Sequence, residues 1–137
     1  MIEFPRRWRI YEYTDHRGIG VIKAWEREVE KDVLARLHQK LDTLELNGSE
    51  LTTGLLAGTK QKHIDKLRVF GKKTTWRVMV CKGTIDVHRE FTILFIAQEK
   101  DRKLIPKDAD KRAEANRKEL LSDPSRRRIY ERNSGTT

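Results

Sequence analysis

A single cysteine, Cys81, leaves this chain of 137 residues no partner for an intramolecular disulfide, and its place at the end of an apolar strand suits a small buried hydrophobe. A reducing cytoplasm is the expected compartment. No apolar stretch approaches the length of a bilayer span: the longest, Ile93 to Ala97 with Phe91 just before it, is far too short. The opening residues, MIEFPRRWRIY, separate their hydrophobics with charges and contain no signal-peptide apolar region, so neither secretion nor membrane insertion is expected. His16, His38, His63 and His88 lie far apart and none pairs at helical four-residue spacing, so no metal site and no cofactor are expected. No serine or cysteine stands in a nucleophile-elbow setting. Gly18-Ile19-Gly20 lacks the third glycine and the following parallel βαβ unit of a phosphate loop, and reads as a plain turn into a helix.

What the chain has in excess is positive charge. Lysine and arginine number 30 against 21 acids, giving a formal net charge of +9 and a pI near 9.8. That balance favours polyanionic partners, although many of the acids are interspersed among the bases. The length suits one domain with a sizeable core. A single domain over residues 1–122 is expected, followed by a polar, flexible tail over 123–137.

Trp8 to Tyr13 alternates in polarity and reads as a strand. From Gly20 the spacing of Ile22, Trp25 and Val29 changes to three and four residues, a short helix. Leu34, Leu37, Leu41 and Leu44 continue that spacing, predicting a helix over Glu30 to Leu46 that Asn47-Gly48 ends. Its leucine stripe is too short for sustained heptads and reads as core. Ser49 to Thr59 reads as a polar loop. Ile64 to Phe70 and Thr75 to Cys81 form a predicted hairpin, and Phe91 to Ala97 a central strand covered on both faces. Pro106 and Asp108 open a last helix that Ser122-Asp123-Pro124 stops. The predicted class is α+β, a layered arrangement of helices on a sheet.

Between Lys60 and Arg77 seven lysines and arginines face a single acid, Asp65. They alternate with Ile64, Leu67, Val69, Trp76 and Val78, so one face enters a core while the other presents cations. A solvated face that keeps a sheet edge soluble would need the same pattern. The functional alternative brings Lys66, Arg68 and Arg77 to one phosphate, with Lys100 arriving from the next strand. RNA is cleaved without metal when its 2′-hydroxyl is deprotonated, the phosphorane is stabilised and the leaving 5′-oxygen is protonated. Lysines perform the proton work when neighbouring cations depress their pKa, and arginine forks match the phosphorane.

Taken in order, WRIYEYTDHRG entering a helix with Trp25, the leucine helix ending LELNG, the strand pair KLR and WRVMV, and AQEKDRKLIPKDADKRAE resemble the RelE/HigB superfamily of toxins, particularly its phage-derived HigB-like branch. The resemblance covers roughly Trp8 to Leu121. It implies a RelE-like fold: an N-terminal strand, a helical hairpin, an antiparallel sheet of about four strands and a C-terminal helix. It further implies the toxin of a type II toxin-antitoxin system, a metal-independent, ribosome-dependent mRNA endoribonuclease. The implied partners are a cognate antitoxin of helix-turn-helix type, the ribosome and mRNA, with no membrane.

By the same resemblance Lys66 falls at a catalytic lysine, Arg68 follows it, Arg77 falls at the arginine proposed to stabilise the transition state, and Lys100 begins the basic run after the last strand. Lys60, Lys62, His63, Lys72, Lys73, Arg102 and Lys103 are the expected RNA contacts. Two departures stand out. No tyrosine lies between Phe91 and Ile129, and Glu99 and Asp101 interrupt the basic run, which points to Lys66 or His63 as an alternative proton donor. His63 reads better as a surface or RNA-contacting residue. The alternatives are a ParE-like toxin that inhibits gyrase without nuclease activity, and a catalytically silent phage or mobile-element module that binds RNA or protein.

Overall fold

Residues 8–48 and 55–132 are described in this structure, a computed structural model. The first strand, β1, is Arg9–Tyr13, followed by helices α1 (Val21–Glu26) and α2 (Lys31–Asn47). In α2 the periodic Val33, Leu37, Leu41 and Leu44 are buried, as their three- and four-residue spacing requires of one stripe. Gly48 ends the helix at φ 66°, its N–H donating to the carbonyl of Leu44 at 2.8 Å. The remaining elements are β2 (Ala57–Gly58), β3 (Asp65–Phe70), β4 (Thr75–Lys82), β5 (Glu90–Lys100), β6 (Lys103–Ile105), α3 (Ala109–Ser122) and β7 (Arg127–Ile129). The opening MIEFPRR and residues 49–54 of the predicted loop lie outside the described residues. Among the described residues no helix is long and apolar enough to cross a membrane.

The α+β class is as expected, but the sheet is larger than four strands and is mixed. Its order is β2-β3-β4-β5-β1-β7, with β6 also on β5, and β1 runs parallel to β5. β2, β6 and β7 have only two or three residues each, too few to show alternation, and the parallel pairing joins segments far apart in sequence.

The predicted flexible tail over 123–137 is a second correction as far as residue 132; residues 133–137 lie outside the described residues. After a 3₁₀ turn at Pro124–Arg126 the chain lays β7 antiparallel to β1, with Ile129 opposite Tyr11. Tyr130 is 2% exposed; its hydroxyl donates to Glu26 and lies 2.7 Å from Nε2 of His38. The charges that made the stretch read as solvated are paired: Arg126 with Glu119, Arg127 with Glu90 and Arg128 with Glu12.

Helices cover both sides of the sheet. Leu67, Val69, Val78, Val80, Phe91 and Ile93 pack toward α1 and α2, while Met79, Cys81, Leu94 and Ala97 pack toward α3. β5 carries a bulge, because Met79 pairs with Phe95 but Val80 pairs with Ile93, leaving Leu94 without an opposite residue. Past the bulge the facing of β5 inverts: Ile93 and then Ile96 share the α1/α2 side, and Ala97 and Glu99 take the α3 side. Cys81 is buried under α3, and burial pushes its thiol up to about 12. It should therefore resist a thiol-reactive disulfide reagent in the native protein and react fully in denaturant, as colour release would record.

Candidate nucleic-acid cleft

Because Leu67 and Val69 on β3, and Trp76 and Val78 on β4, turn into the α1/α2 core, strand alternation sends Lys66, Arg68 and Arg77 to the opposite face. There Lys66 stands across from Met79, and Arg68 is directly opposite Arg77. The face is only partly roofed by α3. In front of its first turn a cleft of about 870 Å³ opens, lined by Lys66 and Arg77, by Gly58 to Gln61, by Arg102 to Leu104, and by Lys107, Asp108, Asp110 and Lys111 from the start of α3.

Lys66, Arg77, Lys60, Arg102 and Lys103 therefore meet in one cavity. Lys100 does not line this cleft; it lines an adjoining cavity of about 520 Å³ that shares Lys103, Leu104 and Lys107 with it. Lys62 and His63 precede β3, while Lys72 and Lys73 occupy the β3–β4 turn; all four are exposed and none lines the cleft. Lys107 and Lys111, four residues apart across the start of α3, were passed over in sequence. Lys107 lies in the turn before α3 and Lys111 in its first turn, and the basic run that continues through Pro106 into the helix is the signal that could have found them.

Burial, reinforced by the neighbouring Arg77 and Arg68 charges, pulls the Lys66 ammonium below its ordinary pKa, with Glu99 and Asp110 opposing. Asp110 holds one carboxylate oxygen, Oδ1, buried without a hydrogen-bond partner. Beside the cleft a second cavity of about 440 Å³ is lined by Arg68, Thr75, Arg77, Glu99, Asp101 and Arg102. Glu99 bridges both arginines there: one carboxylate oxygen pairs with Nη2 of Arg77 and the other lies 3.6 Å from Nε of Arg68.

Tyr130 sits in the α1/α2 core, on the other side of the sheet from the cleft. Among the described residues no group of three His, Cys, Asp or Glu side chains is arranged to hold a metal. The cleft can thus bind an anion through many cations and move a proton through Lys66. Comparison with protein-family models, curated proteins and solved structures finds no match.

Proposed function

We propose that the chain is the toxin of a toxin-antitoxin pair, an endoribonuclease that cuts ribosome-bound mRNA without a metal ion. The observation that carries this reading is the meeting of Lys66 and Arg77 on the floor of one cation-lined cleft. The order of motifs along the chain, resembling the RelE/HigB superfamily, supports the same class.

In this reading the strand backbone is held by phosphate contacts to Lys60, Arg102, Lys103, Lys107 and Lys111. Neutral Lys66 takes the proton from the 2′-hydroxyl. The 2′-oxygen bonds to phosphorus as the bond to the 5′-oxygen breaks, and the charge on the pentacovalent intermediate is met by Arg77. A protonated lysine of the cleft wall returns a proton to the leaving oxygen, giving a 2′,3′-cyclic phosphate and a 5′-hydroxyl.

A base works only when unprotonated, so the single-turnover cleavage rate should rise with pH and level off below the 10.5 of an ordinary lysine, since the Lys66 pKa is lowered. Lys66→Arg, locked in its charged form, should flatten that rise. A rate independent of pH in the wild type would remove Lys66 from the proton transfer.

The test of function is controlled expression in a bacterial host with growth recorded and new mRNA 5′ ends mapped. Arrest with in-frame cuts is expected; arrest without cuts would direct attention to another target. A second reading, a module that holds RNA without cutting it, is favoured by one observation: Glu99 engages both Arg68 and Arg77. Soluble protein that binds RNA yet neither arrests growth nor cuts would decide for it.

A further inference from the structure

Arg68 and Arg77 are directly opposed in the β3–β4 register, an arrangement that like charges disfavour unless an anion lies between them. Glu99 is that anion, delivered from β5 to this face by the bulge at Leu94. Glu99 accepts a hydrogen bond from Arg77 and stands at ion-pair distance from Arg68, so one anion serves both guanidinium groups, the role a phosphodiester can also fill. We infer that Glu99 is an internal stand-in for a substrate phosphate: it occupies an Arg68–Arg77 anion subsite next to the cleft, and a single-stranded RNA must displace it to bind there. The inference rests on the reading of the cleft as an RNA site.

Three observations support it. Arg77 and Arg102 line both the large cleft and the smaller cavity beside it, so the two are contiguous and suit consecutive phosphates of one strand. Nε of Arg77 is buried without a hydrogen-bond partner, leaving a donor that Glu99 does not use and that a phosphate has a further oxygen to meet. The subsite is also open: Arg77 and Glu99 are each 13% exposed, but Arg68 is 48% exposed at its edge. Displaced, Glu99 returns two cations to the RNA. In place, it keeps the pair organised and limits the grip on unspecific polyanions.

The test is fluorescence anisotropy with a labelled single-stranded oligouridylate of about twelve nucleotides, over a series of salt concentrations. Glu99→Gln should raise affinity about tenfold at low salt. It should also steepen the slope of log affinity against log salt by about 0.7 to 1.4, the increment for one or two extra phosphate contacts on a single strand. Glu28→Gln makes the same change of net charge in the exposed turn after α1 and should stay within about twofold of wild type. Glu99→Asp keeps the charge but is too short to span both arginines, so it should give an intermediate gain.

A folded Glu99→Gln protein that binds no better than Glu28→Gln overturns the inference. Should the glutamine variant fail to fold, an unchanged or weakened affinity in Glu99→Asp overturns it instead. Combined Lys60, Lys103 and Lys111→Ala separates the two levels of the argument. Unaltered binding in that protein removes the cleft reading itself, whereas lost binding with flat Glu99 variants removes only the stand-in.

Discussion

Replacing Arg77 with alanine is expected to lower RNA cleavage about a hundred- to thousandfold while the protein remains folded, the loss typical of deleting one preorganised donor to a developing anion. Arg77 lines both cavities and pairs with Glu99, and in the proposed reaction its guanidinium would meet the charge that gathers on phosphorus. Its removal leaves Glu99 with Arg68 as a remaining partner, which keeps the structural penalty small. Arg77→Lys should recover only part of the rate, because an ammonium supplies the charge but not the planar fork. The check is cleavage in a translating extract alongside a thermal melt; a folded Arg77→Ala protein with full activity would remove the site.

The largest effect on stability is expected far from the cleft, at Glu12. This carboxylate is fully buried on β1, and its Oε1 accepts the N–H groups of Ile22 and Lys23 at 2.8 and 3.2 Å, capping α1 across space. Oε2 faces Arg128 of β7 at 3.4 Å. One side chain thus ties β1, α1 and the C-terminal strand together. Gly20 makes room for it, since a Cβ there would lie 2.2 Å from the carboxylate. Glu12→Ala strands two buried or part-buried donors and should cost about 3 kcal/mol. For a domain of this size that lowers the melting temperature by about 10 °C. Arg128→Ala, whose side chain is 46% exposed, should cost about 1 kcal/mol or less. Equal losses in the two variants, measured by denaturant titration, would refute the capping role.

Strong local periods in the sequence carried the main elements: the leucine stripe of α2, the alternation of β3 and β4, and the apolar run of β5 that packs on both faces. Elements without a period were hidden. Three short strands escaped notice, and the stretch from Pro124 looked solvated because Arg127 and Arg128 pair with Glu90 and Glu12, acids distant in sequence. The site followed the same division. Alternation on the hairpin was enough to put Lys66, Arg68 and Arg77 on one face. Lys100 lines the adjoining cavity rather than the cleft, which the strand pattern alone did not show. Glu99 read in sequence as an interruption of the basic run; its bridge between two arginines needed β3, β4 and β5 side by side. Lys107 and Lys111 joined the cleft only because α3 begins beside it.

The central claim, that the cleft cuts RNA by 2′-hydroxyl attack through Lys66 and Arg77, is tested most directly by the chemistry of the ends it leaves. Message would be translated in an extract with the wild type or with Lys66→Ala/Arg77→Ala, and each new terminus identified. In-frame cuts bearing 5′-hydroxyl and 2′,3′-cyclic phosphate ends with the wild type alone are the expected result. Ends bearing a 5′-phosphate, or cuts that persist in the folded double variant, would contradict it.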